Sequence, residues 1–160
     1  MMPTIAVVGP GENASPAAIA DASKVGRAIA ERGWITLTGG RDSGVMDAAA
    51  RGATEMRGIT IGILPGTDKQ GASPHLTIAL PTGLGEARNA VLVTAADAVI
   101  ACGMNPGTAS EVALALRAGK PVVIVRPTAD VEAFFAKLGD VVPYVTADPV
   151  DAVAHLVPFL

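Results

Sequence analysis

Short runs rich in β-branched residues alternate with longer alanine-rich stretches along almost the whole chain, and this alternation narrows the choice of fold more than any other feature. The runs are 4–9 (TIAVVG), 34–38 (WITLT), 59–64 (ITIGIL), 76–80 (LTIAL), 97–101 (DAVIA) and 121–125 (PVVIV), with a weaker one at 143–146. Helical stretches lie between and after them at 15–32, 43–57, 85–96, 108–118, 129–138 and 148–157. Segments such as AVVG and VVIV show no polar alternation, so both of their faces must be covered, as in a parallel sheet between helix layers. The pattern predicts an α/β fold: a Rossmann-like, doubly wound, mostly parallel sheet in a three-layer α/β/α arrangement. The 160 residues suffice for one domain, 1–160, with a core of its own. No linker, repeat or low-complexity segment interrupts it. The longest loop is 65–74 (PGTDKQGASP), a candidate for mobility.

Composition narrows the function. The net charge is −3 and aromatic residues make up 3%, with no basic stripe. Neither phosphate contacts nor base stacking are provided for, so nucleic acid is not an expected partner. No apolar run is long enough to cross a membrane. The opening MMPTIAVVGP reads as a first strand rather than a secretion signal, because it lacks a basic segment and a cleavage site. The single cysteine, Cys102, rules out an internal disulfide and fits a reducing cytosol, so a cytoplasmic protein is expected. A charged fraction of only 17% leaves little to solvate a monomer and predicts a homo-oligomer, a dimer or tetramer.

In open α/β sheets ligands bind beyond the carboxyl ends of the strands. Three glycine-rich loops fall there: 9–13 (GPGEN), 39–44 (GGRDSG) and 103–107 (GMNPG). Gly9, Gly11 and Ala14 fit the dinucleotide pattern G-x-G-x-x-A, with Glu12 between them. The second strand, however, ends in Thr38-Gly39-Gly40, where a ribose-binding acid would stand, so no NAD site is expected. The stretch TGGRDSGVM, from Thr38 to Met46, reads as a ligand loop. Gly39, Gly40 and Gly44 permit close backbone approach, and a helix starting after Ser43 would aim N–H groups at a phosphate. Arg41 would add a forked donor, and Val45 and Met46 complete the motif. The competing reading is a tight turn with a solvated arginine.

Thr108-Ala109-Ser110-Glu111 has the form of a capping box, which accounts for Thr108 and Glu111 without a ligand. It leaves Gly103-Met104-Asn105-Pro106-Gly107 unexplained. Bare backbone before a helix start has the form of an anion cradle, with Glu111 available to a ligand hydroxyl or amine. Arg88 opposes the helix dipole in the first turn of its helix, and Asn89 beside it is a poor helix former. Local rules broken at one spot point to a ligand, the alternative being a salt bridge to Glu86 or a solvated surface. Cys102 is read as a small core residue. His75 and His155 have no partners at ligand spacing, so no protein-ligated metal is expected. No nucleophile elbow is present.

Taken together, GPGEN, TGGRDSGVMDAAARGA, ILPGTD, GLGEARNAVLV and GMNPGTASEVALALRAGKPVVIV follow one order over residues 4–126. In this the chain resembles the molybdenum cofactor carrier proteins, relatives of the "lonely guy" phosphoribohydrolases once described as lysine decarboxylases. The hydrolases carry P-G-G-x-G-T-x-x-E and an Arg-Lys pair. Here Gly107, Thr108, Glu111 and Arg88 match, while Asn89 stands for the lysine and Gly103-Met104-Asn105-Pro106 for P-G-G-x. The carrier form is the better match. It implies a pterin cofactor held non-covalently as cargo, shielded from oxidation and passed to molybdenum enzymes, with no catalytic residue. The hydrolase branch would instead use Arg88 and Glu111 on a nucleoside 5′-monophosphate. A nucleotide-sensing module without turnover is a third reading.

Overall fold

Strand β1 (Thr4–Val8) is buried after its first residue and hydrogen-bonded along both edges, to β2 on one side and β5 on the other. The computed structural model describes residues 1–160. From β1 the chain runs through α1 (Pro16–Glu31), β2 (Ile35–Thr38), α2 (Gly44–Glu55), β3 (Thr60–Leu64) and β4 (Ile78–Pro81). It continues through α3 (Arg88–Ala95), β5 (Ala98–Cys102), α4 (Pro106–Arg117), β6 (Val122–Val125), α5 (Ala129–Ala136), β7 (Tyr144–Thr146) and α6 (Pro149–Ala154). All seven strands are parallel, in the order β4-β3-β2-β1-β5-β6-β7. Each expected strand forms, with ends displaced by a residue or two.

Alternate residues of the central strands serve two cores, as the pleat requires. Ile5, Val7, Ile100, Cys102 and Val123 pack with Ala22, Val25, Ile29, Ala49 and Val153 of α1, α2 and α6 and with Leu156 just after α6. Ala6, Val8, Leu37, Val99 and Ile124 pack on the other face with Leu92, Val112, Ala115 and Phe135 of α3, α4 and α5. Cys102 is buried in the first core, as a packing residue would be.

Three expectations change. The helix expected over 85–96 is a 3₁₀ turn at Gly85–Ala87 followed by α3, a tightened start of the kind common at helix ends. The capping box at Thr108 does not form. Helix α4 begins at Pro106, and its cap is Asn105, whose side-chain oxygen accepts the Thr108 N–H at 2.8 Å and the Thr108 hydroxyl at 2.9 Å. Proline fixes its own φ near the helical value and lacks an N–H, so it suits the first helical position. Thr108 therefore lies inside the first turn, and Glu111 is too far along to reach the cap. The loop expected to be mobile is tethered: the Asp42 N–H donates to Gly71 O, the Ser73 N–H to Gly40 O, and Ser73 Oγ to Asp47.

Helices α1 and α2 cross in backbone contact. A Cβ on Gly26 would collide with the Ala49 carbonyl. Ala22, Val25, Ala49 and Ala53 fill the remainder of the seam, and each is fully buried. Gly26→Leu is expected to destabilise the fold by about 2 kcal/mol or more, because neither backbone can withdraw without moving its helix off the sheet. The urea midpoint measures this, and an unchanged midpoint would show that the helices are not in contact at Gly26.

Candidate ligand-binding site

The loops after β1, β2 and β5 rise from neighbouring strands and then diverge, because α1 and α2 pack on one face of the sheet and α4 on the other. Between them opens a cavity of about 610 Å³. From the first loop it is lined by Gly9, Pro10, Gly11, Glu12 and Asn13, and from the second by Gly39, Arg41, Ser43 and Met46. Glu86, Arg88 and Asn89 form the wall before α3 and at its start. Met104, Asn105, Pro106, Gly107, Thr108 and Glu111 form the wall at the start of α4, and Val7 and Val8 reach it from β1.

The three glycine loops singled out from sequence thus meet around one space. Five of the candidate residues support the wall instead of lining it. Thr38 is buried and its hydroxyl accepts the Gly40 N–H at 3.0 Å, which shapes the turn. Val45 is a core residue under α2. Gly40 backs onto Gly62, Gly44 onto the carbonyls of Pro10 and Gly11, and Gly103 onto Pro10 and Ala18. The lining residues that sequence reasoning left out include Asn13 and Pro106, which lie within the glycine-rich loops themselves, and Ser43, read there only as the residue before a helix. Glu86 was visible only as a salt-bridge partner for Arg88.

Two helices open onto the cavity, and they differ. Helix α4 has its cap filled by Asn105. Helix α2 follows Ser43, whose side chain makes no bond to the helix it precedes. At α2 the Val45 N–H donates to Pro10 O at 3.0 Å but no side chain caps the end, and with Arg41 beside it this is the better seat for an anion, since a helix N-terminus carries partial positive charge.

Arg88 dominates the electrostatics. Its guanidinium lies against Gly39, where a Cβ would occupy the same space, and Nη1 is 3.6 Å from a Glu111 carboxylate oxygen. That separation is too long for a hydrogen bond. The residue is 7% exposed, yet its Nε and Nη1 have no partner. Burial pushes the Arg88 guanidinium below its ordinary value, against the pull of Glu111 and Glu86 and with the push of Arg41. Burial likewise raises the Glu111 carboxyl to about 7, with Arg88 opposing and Glu86 adding to the rise. Neighbouring Asn89 is also 7% exposed; its amide nitrogen donates to Ser110 Oγ at 3.3 Å, and its oxygen has no partner. Ser110 Oγ itself donates to Gly107 O at 2.7 Å, so it must accept from Asn89, which fixes which way the amide points.

A carboxyl raised on folding binds its proton more tightly in the native state. Its stabilising contribution is complete below the ordinary value of 4.5 and is lost as pH rises through about 7. Over that window Glu111 should lower the unfolding free energy by about 3 kcal/mol relative to a group that does not titrate. Urea denaturation of the wild type and Glu111→Gln between pH 5 and 8 is expected to show the variant gaining on the wild type as pH rises. A difference that stays constant with pH would mean that Glu111 keeps its ordinary acidity.

The whole chain has close structural relatives. It superposes on the molybdenum cofactor binding protein of the phototrophic bacterium Rippkaea orientalis with a TM-score of 0.95 and 42% identity, covering 99% of this chain and 96% of that one. The molybdenum cofactor carrier protein of Chlamydomonas reinhardtii gives a TM-score of 0.93 at 42% identity, over 99% and 98% of the two chains. An uncharacterised protein of Archaeoglobus fulgidus is 38% identical over 128 residues, 80% of this chain and 83% of its own. One family model spans residues 2–152, from β1 into α6 and across every loop that lines the cavity, and on that match the chain belongs to the SLOG cluster4 family.

Proposed function

We propose that the chain binds the molybdenum cofactor non-covalently as cargo, shields it, and delivers it to molybdenum enzymes. The observation that carries this is the buried Arg88 guanidinium, facing a cavity with two N–H-bearing nitrogens unpaired. Unpaired buried donors are costly, and more so when charged. A polar, anionic ligand supplies the acceptors that the protein does not. The cofactor is such a ligand: a flat pterin with a terminal phosphate and an oxidation-prone dithiolene that holds the metal. The phosphate suits the uncapped start of α2, with the Ser43 hydroxyl and Arg41. The ring N–H groups suit the acceptors Glu111, Glu86 and Asn89 Oδ1, and Met46 and Met104 give apolar surface for the ring plane. The two relatives at 42% identity described as binding or carrying the same cofactor support the reading.

A second reading, an N-glycosidic hydrolase of nucleoside monophosphates, is favoured by one observation. Glu111, raised to about 7 beside Arg88, has a carboxyl suited to proton transfer at neutral pH. Release of free base from AMP, lost in Glu111→Gln, would establish it. Assembly into several copies belongs to the carrier reading: Ile78 and Leu80 on the edge strand β4 are each 44% exposed and offer apolar surface to another subunit.

Anaerobic loading followed by size exclusion with light scattering tests these points together. Acid oxidation of the protein peak should yield a fluorescent pterin, at a mass above that of one chain. Arg41→Ala and Arg88→Met should each weaken binding roughly ten- to a hundredfold, as expected for losing a charge-assisted hydrogen bond. Arg41→Ala should do so without shifting the melting temperature. A protein peak without pterin, or full affinity in both variants, would overturn the proposal.

A further inference from the structure

A second cavity, of about 540 Å³, adjoins the first. The two share Glu12, Arg41 and Ser43, the residues beside the uncapped start of α2. Beyond that shared wall the second cavity is formed by Asp42 and by Leu64, Pro65, Gly66, Asp68, Gln70 and Gly71. Its outer wall is ordered by the hydrogen bonds from the Asp42 N–H to Gly71 O and from the Ser73 N–H to Gly40 O. Asp68 is oriented as well, because its Oδ1 accepts the Gln70 N–H at 2.9 Å.

The chemistry of the two spaces differs. The first has a second cation, Arg88, beyond the shared wall, where it lies with Glu86 and Glu111. The second has the carboxylates Asp42 and Asp68, the Gln70 amide and bare peptide groups, and its one cation is Arg41 on the shared wall, where Glu12 also stands. Carboxylates repel a phosphate but accept hydrogen bonds from hydroxyls and from ring or amino N–H groups. A molecule filling both spaces would have its anionic part at the junction, over α2 and Arg41, and a neutral, donor-rich part in the second. A ribonucleoside is such a part, and a cavity of this size is ordinary for one.

We infer that the second cavity takes a ribonucleoside joined through a diphosphate to the pterin, so that the chain accepts the nucleotide-extended form of the cofactor as well as its monophosphate form. This rests on the proposal that the first cavity holds the pterin. The diphosphate lies at the junction, where the single phosphate of the shorter form also sits, and the sugar hydroxyls face Asp42 and Asp68. Bond making or breaking is not involved; the second cavity only adds contacts.

Calorimetric titration with the pterin monophosphate form and with its guanine and cytosine dinucleotide forms tests this. The wild type should bind at least one dinucleotide form as tightly as the monophosphate form. Gly66→Phe should fill the second cavity, because a Cβ there meets nothing closer than 4.0 Å. It is expected to weaken dinucleotide binding about tenfold or more and to leave the monophosphate form within about twofold. Gln70→Trp, on the same wall, should act in the same direction and keeps the test valid if the first variant folds poorly. A wild type that binds the monophosphate form and refuses both dinucleotides overturns this inference and leaves the pterin reading standing. Equal weakening of all forms in both variants overturns it too. Failure to bind any form overturns both.

Discussion

The reversal of strand order at β1 is the constraint on which the rest depends. β1 is bonded to β2 on one edge and β5 on the other, and successive crossovers leave from opposite faces on its two sides. Right-handed crossovers make this unavoidable once β4 is followed by a helix that must return across the sheet to β5. The loops after β1 and β5 therefore part company, and a cleft opens that side chains do not need to carve. The apolar strands fix where the cleft is, and the loops decide what it does.

Those loops build an unbalanced polar site. Arg88 and Glu111 lie near each other, but 3.6 Å is too far for the two to satisfy each other. A closer pair would lower the energy of the empty protein. It would also consume the donors and acceptor that a ligand needs. Burial disfavours the charged form of both groups: the Arg88 guanidinium keeps its charge at a cost, while the Glu111 carboxyl, raised to about 7, is close to the pH at which it gains or loses its proton. Glu111 can therefore follow its surroundings, since a ring N–H beside it favours the carboxylate, whereas Arg88 stays a cation throughout. Binding groups held in this state of partial satisfaction are destabilising alone and useful only in company.

Much of this was legible in the sequence, for identifiable reasons. Fully buried parallel strands leave unbroken apolar runs, so the strands and their order in the chain could be read directly. The glycine loops stood out because they leave backbone bare at the strand ends, where a sheet of this kind receives its ligand. Arg88 stood out because it opposes the dipole of its own helix. What could not be read was which of two local rules wins. Thr108 to Glu111 satisfies the capping pattern, yet Asn105-Pro106 offers an earlier cap and a better first residue, and the earlier signal prevailed. Nor could the sequence show that Ser43 leaves its helix uncapped while Asn105 does not. That difference depends on side-chain direction, and it is what makes α2, rather than the stretch 103–107, the seat favoured for an anion.

The contact between Gly39 and Arg88 shows why the motifs of this chain have to be read together. Alone, Gly39 is a turn glycine and Arg88 a misplaced helix cation. In the fold the guanidinium rests where a Cβ of residue 39 would be, with the Met46 sulfur close to the same point. One missing methyl group thus sets the position of the main buried cation and of part of the apolar surface. Arg88 can be buried only because the backbone of the β2–α2 loop lets it lie flat, and that loop is spared a side chain only because the arginine fills the volume. Neither residue makes physical sense without the other, which is why two motifs far apart in the chain describe a single wall.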